Sequence, residues 1–329
     1  MSVRDEASQL ESQFVKVSET GRRINSSRHP TRGTLAGRYQ QALDRDWAQA
    51  RASSPFSSKP RPFLRWAGSK RRLLTQMVAS LPCEFGAYHE PFLGSGALFF
   101  LLCPGRASLS DKCGELIDVY KAIRDDVSAI IRYLRPLKPN RNAFYAIRDR
   151  PSRGRLKRAA EFVYLNKTCW NGLYRVNSEG RFNVPYGLPK TNCIADFENL
   201  RACARALQAP DVKLLSCDFE AALAPVEAGD LVYLDPPYVT RHNNNGFVDY
   251  NETLFSWEDQ KRLAERAQQL ADAGAYVIVT NTDHREVVEL YRGFRRRTMT
   301  RCSTLAADAK CRGGVSEAFL WSPNCTGKT

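Results

Sequence analysis

Short apolar runs that stop abruptly in polar or Gly/Pro residues recur along the chain, and most pass into a stretch of helix-like periodicity. Residues 87–92 precede Leu93-Gly94-Ser95-Gly96, and 212–216 precede Cys217-Asp218. Likewise Leu231–Leu234 precedes Asp235-Pro236-Pro237-Tyr238, and 276–279 precede Thr280-Asn281. Runs this short, with Gly or Pro at their ends, predict strands, and strand, loop, helix in repetition predicts a mostly parallel α/β sheet. In such a sheet ligands collect outside the carboxyl ends of the strands, which is where these polar tails fall. A further run at 107–110 closes on Asp111, and 317–321 reads as the last strand, with Thr280-Asn281 as a strand-end loop.

The rhythm breaks between 112 and 205. That stretch reads as helical at 116–134 and 156–168, a largely helical insertion in a sheet domain made of 61–111 and 206–329. Residues 1–60 lack an apolar period. Ser53-Ser54-Pro55 and Ser57-Ser58-Lys59-Pro60 read as a linker, which predicts a flexible basic extension with some helix across 35–52. The extension carries neither a secretory signal nor a twin-arginine signal. The longest apolar run, 98–103, is far shorter than the roughly 20 residues of a membrane span. Ten Cys without a Cys-x-x-Cys pair point to reduced thiols in a cytoplasmic protein and to no metal site.

Charge adds a partner. In the 329-residue chain, 49 Lys/Arg face 35 Asp/Glu, a net +14, and between 112 and 205 the count is 19 against 9. Phe144, Tyr145, Tyr164, Trp170, Tyr174, Phe182 and Tyr186 lie among those cations, a mixture suited to gripping phosphates and stacking on bases. Nucleic acid is the expected partner.

Two motifs carry candidate chemistry. Phe92-Leu93-Gly94-Ser95-Gly96 opens the helix Ala97–Leu102 with backbone where side chains would obstruct a ligand, so it can hold a nucleoside. A dinucleotide site would carry a third Gly where Phe99 stands, which argues against hydride transfer. Asp111 could accept hydrogen bonds from ribose hydroxyls. In Asp235-Pro236-Pro237-Tyr238, consecutive prolines remove two donors and stiffen the chain. The Asp235 carboxylate and the Pro236 carbonyl can then accept both hydrogens of an exocyclic amine, beside the Tyr238 ring.

Over residues 62–323 the chain resembles the Dam-type family of DNA adenine-N6 methyltransferases. The likeness rests on Phe63-Leu64-Arg65-Trp66-Ala67-Gly68-Ser69-Lys70, on Glu90-Pro91-Phe92-Leu93-Gly94-Ser95-Gly96, and on Ser110-Asp111 leading to Leu116-Ile117-Asp118-Val119-Tyr120. It continues through Asn171-Gly172-Leu173-Tyr174-Arg175-Val176-Asn177 and Phe182-Asn183-Val184-Pro185-Tyr186-Gly187 to Asp235-Pro236-Pro237-Tyr238. The resemblance implies a Rossmann-like S-adenosylmethionine-dependent methyltransferase sheet with an inserted, mainly helical target-recognition domain. It implies S-adenosylmethionine contacts at Trp66, Lys70, Phe92, Gly94, Gly96, Asp111 and Asp235, with Asp218 near the cofactor's adenine. Catalysis falls to Asp235, Pro236, Pro237 and Tyr238.

DNA reading falls to Arg65, Trp170, Asn171, Leu173, Arg175, Asn177 and Pro185. Arg175 would read a guanine edge, Leu173 and Pro185 a thymine methyl, and Trp170 with Asn171 would open the duplex. Ser69, Cys113 and Trp170 depart from the family's common Gly, Asn and Tyr, which leaves the target sequence, for which GATC is the candidate, open. The expected partner is double-stranded DNA, bound by a monomer in the cytoplasm at the nucleoid; whether a cognate restriction endonuclease accompanies it is left open. An RNA adenine methyltransferase and a non-catalytic sequence-specific binder are the alternatives.

Overall fold

Chain order and strand order part company at β1, and that divergence places the site. In a computed structural model that describes residues 59–189, 191–239, 255–302 and 314–325, the strands are β1 (Tyr88–Glu90), β2 (Arg106–Asp111), β3 (Asp211–Ser216), β4 (Leu231–Leu234), β5 (Tyr276–Thr282), β6 (Arg295–Cys302) and β7 (Gly314–Trp321). They form one sheet of order β3-β2-β1-β4-β5-β7-β6. The first five are parallel, and β7 runs antiparallel between β5 and β6. Since β1 pairs with β2 on one side and β4 on the other, the strand order reverses there, and the carboxyl ends of β1 and β4 are where a sheet of this kind has its ligand crevice.

The expected α/β sheet is present, with two differences. Thr280 and Asn281, read as a loop, are strand residues opposite Phe319 and Ala318, because antiparallel pairing with β7 extends the ladder past the apolar run. β6 was not expected at all. It is an arginine-rich edge strand in which Met299 is buried, and charged edges of this kind resist pairing with other chains. By contrast β1 and β4 are buried at every position, as central parallel strands covered on both faces should be.

The helices are α1 (Ala97–Leu102), α2 (Gly114–Leu134), α3 (Arg141–Asp149), α4 (Arg155–Thr168), α5 (Phe197–Leu207), α6 (Phe219–Leu223), α7 (Trp257–Asp272) and α8 (Arg285–Leu290), of which α6 packs on β2 and α7 on β5, while α3 packs on α4. α7 starts with a reciprocal cap, Asp259 N–H to Ser256 Oγ at 3.1 Å and Ser256 N–H to Asp259 Oδ2 at 2.9 Å. Its Leu263, Ala267 and Leu270 pack with Val232, Leu234, Val277, Val279 and Leu320 in the core under the carboxyl ends of β4 and β5. α2 packs against β2 and β3 and also against α4 and α5, so the inserted stretch grows out of the sheet's own helical layer. The described residues fall in the unit Phe56–Thr329, while the extension and its helix across 35–52 lie outside the described residues. No helix among the described residues is long and apolar enough to cross a membrane.

Candidate active site

Beyond β1 the chain turns through residues 91–96 into α1. Gly94 sits at φ 46° with its N–H given to Asp111 Oδ2 at 3.0 Å, and a Cβ there would stand 2.9 Å from Trp66 Cδ1. Glycine is required on both counts, since the left-handed region is unfavourable for L residues and the indole occupies the space. Asp111 Oδ1 accepts from Cys113 N–H at 3.0 Å. Burial raises the Asp111 carboxyl, and these two amides draw it back. Tyr120 donates its hydroxyl to the Gly94 carbonyl at 3.1 Å, and Ser69 Oγ meets Ser95 Oγ at 2.8 Å. The serine that departs from the family's Gly thus ties residue 69 to the glycine turn. Phe92 lies against the Phe219 and Phe255 rings, and Asp218 caps α6 by accepting Glu220 N–H at 3.1 Å.

Residues 66–70 join this turn to the end of β4. Trp66 lies on Gly94, and Lys70, almost wholly buried, puts Nζ 2.6 Å from Asp235 Oδ1, 2.7 Å from the Gly68 carbonyl and 4.7 Å from the Tyr238 ring centre. Thr280 Oγ1 donates to the same Asp235 Oδ1 at 2.8 Å and is itself 3.0 Å from the Tyr233 hydroxyl. Two donors therefore hold one carboxylate oxygen. The other oxygen, on a side chain 18% exposed, has no donor among the described residues. Burial raises the Asp235 carboxyl above its ordinary value, and Lys70 and Thr280 oppose that rise.

The Pro237 carbonyl accepts Gln260 Nε2 at 3.2 Å, and Gln260 Oε1 takes Asn281 Nδ2 at 3.1 Å, so the elbow is braced from α7 and β5. Tyr238 gives its hydroxyl to Glu317 Oε2 at 2.7 Å. A further carboxyl, Glu90, receives the Tyr88 hydroxyl at 2.9 Å, and burial lifts it well above the carboxylate range.

The expected DNA readers lie along an irregular hairpin. Bridges join Cys169 to Tyr186 and Val176 to Phe182, with Trp170 N–H on the Pro185 carbonyl at 2.9 Å. Trp170 is 40% exposed, Asn171, Arg175, Asn177 and Pro185 are exposed, and Leu173 is half-buried. Arg175 Nε donates to Asn183 Oδ1 at 2.8 Å, which fixes the guanidinium on the facing strand. The Asn177 side chain accepts the N–H groups of Glu179 and Arg181 and shapes the tip. Asn166 of α4 bonds the Arg65 N–H at 2.8 Å, the Arg65 carbonyl at 2.7 Å and the Gly172 carbonyl at 3.2 Å, bringing Arg65 to the foot of the hairpin. The Tyr174 ring stacks on Trp66, centres 5.5 Å apart at 20°, and its hydroxyl reaches Glu115 Oε2 at 2.6 Å.

Trp66, Lys70, Gly94, Asp111 and Asp235 are thus linked by contacts beyond the ends of β1 and β4, with Gly96 and Phe92 in the same turn. Asp218 stands in the next loop as a helix cap. Sequence reasoning gave no role here to Gln260 or Glu317, placed Thr280 only as a strand-end loop near the pocket, and counted Tyr174 only among the aromatics of the basic stretch and the family motif. The one local signal was a carboxylate inside the apolar run of β7.

Comparison with known proteins gives the same direction. Residues 66–304 match the family model described as D12 class N6 adenine-specific DNA methyltransferase. A type II methyltransferase of Lactococcus lactis, M1.LlaDCHI, is 36% identical over 268 residues, covering 79% of this chain and 94% of the relative. Type II methyltransferase M.MjaIII of Methanocaldococcus jannaschii is 36% identical over 258 residues, 71% of this chain and 89% of the relative. The DNA adenine methylase of Haemophilus influenzae is 31% identical over 243 residues, 71% and 84% respectively.

Proposed function

The chain belongs to the D12 class of N6 adenine-specific DNA methyltransferases, and from that premise we propose that it moves the methyl of S-adenosylmethionine to the N6 amine of an adenine swung out of duplex DNA, with GATC as the candidate site. The observation that carries the mechanism is the asymmetry of Asp235: Oδ1 is held by Lys70 and Thr280, and Oδ2 is left to accept.

The crevice fits the cofactor. A turn that excludes Cβ atoms, the Trp66 indole on it, and the carboxylates of Asp111 and Asp235 suit a nucleoside carrying a cationic sulfonium. Trp66, Lys70, Gly94, Gly96, Phe92 and Asp111 are the proposed holders, with Asp218 nearer the adenine end. When bound, S-adenosylmethionine supplies an electrophilic methyl.

The residues of the chain then do the rest. The N6 lone pair of adenine is delocalised into the ring, and within a duplex the amine is paired, so extrusion costs a few kcal/mol that protein contacts must offset. Asp235 Oδ2 and the Pro236 carbonyl accept the two amine hydrogens, which draws the lone pair out of conjugation and aims it. Tyr238 offers its ring to the base. Positioning supplies most of the rate, and no strong base is needed because a methylated ammonium is acidic.

On the DNA side, the recognition domain spans 112–205, with its hairpin as the reading edge. Arg175 and Arg65 take guanine edges, Leu173 and Pro185 meet thymine methyls, Trp170 and Asn171 open the duplex, and Asn177 shapes the tip. The enzyme works in the cytoplasm on the nucleoid, as a monomer. Incubation with labelled cofactor and unmodified duplex, followed by methylation-sensitive sequencing, tests this. Label in adenine at one sequence is expected, and label in no duplex, or only in RNA, would overturn the proposal.

A further inference from the structure

We infer that Glu317 is a positioning residue of the amine clamp, holding the Tyr238 ring in the attitude on which an extruded base stacks and sharing the charge of Lys70 with Asp235. The inference rests on the reading of residues 235–238 as that clamp.

Glu317 lies in β7, opposite Thr282 of β5 and Met299 of β6, and is fully buried. A carboxylate is expensive to carry into a sheet interior unless charged or hydrogen-bonded partners meet it there. Both kinds are present: Oε2 accepts the Tyr238 hydroxyl at 2.7 Å and stands 3.7 Å from Lys70 Nζ. The same ammonium is 2.6 Å from Asp235 Oδ1 and 4.7 Å from the Tyr238 ring centre.

Lys70 is therefore the hub of this set, with one carboxylate on the reacting side and the other at the far end of the tyrosine. A phenol tethered at its hydroxyl and faced by a cation cannot swing about its side-chain torsions, so the ring is set before a base arrives. Pre-set contacts raise the rate of the chemical step without tightening ground-state binding. Register alone brings this residue here. Glu317 is 79 positions from Tyr238 and reaches it because β7 returns antiparallel beside β5.

The test uses the full chain with Glu317→Leu, Glu317→Gln, Tyr238→Phe and the Phe combinations of the first two. Single-turnover methyl transfer, cofactor Kd and DNA KM are measured, together with the fluorescence of 2-aminopurine at the target position. Glu317→Leu is expected to slow methyl transfer by about thirtyfold or more while Kd and KM stay within about threefold, the split that marks an interaction used in the transition state. Glu317→Gln keeps an acceptor for the hydroxyl and should recover most of that rate, and the 2-aminopurine signal should rise in Leu alone as stacking loosens.

In a Tyr238→Phe background, which has already lost the bond, Glu317→Leu should cost clearly less than it does in the wild type, the remainder being its share of the Lys70 charge, and Glu317→Gln should cost less than Leu. A wild-type rate in Glu317→Leu, or losses that multiply fully with Tyr238→Phe, would overturn the inference. If Glu317→Leu does not fold, the Gln and Phe cycle decides in the same way. A wild-type rate in Tyr238→Ala would instead remove the clamp reading beneath it.

Discussion

Replacing Gly94 by alanine puts a methyl group into the proposed cofactor site, against the half-buried Trp66. The backbone there has φ 46°, and the new Cβ would stand 2.9 Å from Trp66 Cδ1 and 3.3 Å from Nε1. The first distance is too short for any carbon pair, so the indole must move. An L side chain in left-handed backbone costs about 1–2 kcal/mol. Shifting Trp66 off its stack on Tyr174 forfeits about 0.5–1.5 kcal/mol more. The free protein relieves this by letting the turn and the indole move, so restoring the binding geometry against the sum, about 1.5–3.5 kcal/mol, weakens cofactor binding by roughly ten- to four-hundredfold.

Isothermal titration with S-adenosylmethionine reads this directly. Gly105→Ala, where nothing lies within 4 Å of the new Cβ, serves as the control and should bind normally. Cofactor affinity within about threefold of wild type in Gly94→Ala would refute the assignment of this turn.

Further outcomes follow from other parts of the site. Burial, with Arg65 and Arg71 nearby, lowers the Lys167 ammonium from 10.5 to about 8. Between those values the unfolded chain binds more protons, so this residue's contribution to stability rises with pH from about 8 to 10.5, and its full penalty stands below 8. Lys167→Met should therefore melt higher than wild type at pH 7 and show a shallower rise at alkaline pH, and identical melting curves would speak against it. Arg175→Ala frees Asn183 and removes the proposed guanine contact. It should lose about 1–3 kcal/mol of discrimination at one base position, with cofactor affinity unchanged, as read from methylation of duplexes substituted base by base.

What could be read from the chain depended on whether a residue's role is local. β4 was legible because both faces are covered and its apolar run is unbroken, whereas β1, which buries His89 and Glu90, was legible from the glycine turn that follows it. The glycine turn and the Asp235 elbow were legible because their special backbone is written in neighbouring residues. β6 was not, since an edge strand with one buried Met carries no alternation to find.

Thr280 looked like loop because polarity ended the apolar run, although pairing with Phe319 keeps it in the strand and points its hydroxyl at Asp235. The Trp66 and Tyr174 stack joins the glycine turn to the hairpin across more than a hundred residues, and the Glu317 bond joins two strands brought together by register. No window of sequence holds either pair. The departures at Ser69 and Cys113 are also clearer in three dimensions: the first bonds Ser95, and the second gives its N–H to Asp111, its thiol pushed up to about 11 by burial.

The most direct test of the central claim is the rate at which Asp235→Ala transfers labelled methyl to N6 of adenine in unmodified duplex, with cofactor binding measured on the same preparation. If the free oxygen of Asp235 grips the amine, transfer should fall by at least about a hundredfold, the loss expected when one preorganised contact to a reacting group is removed, while the cofactor still binds. Transfer at a near-normal rate by a variant that binds the cofactor would contradict the account.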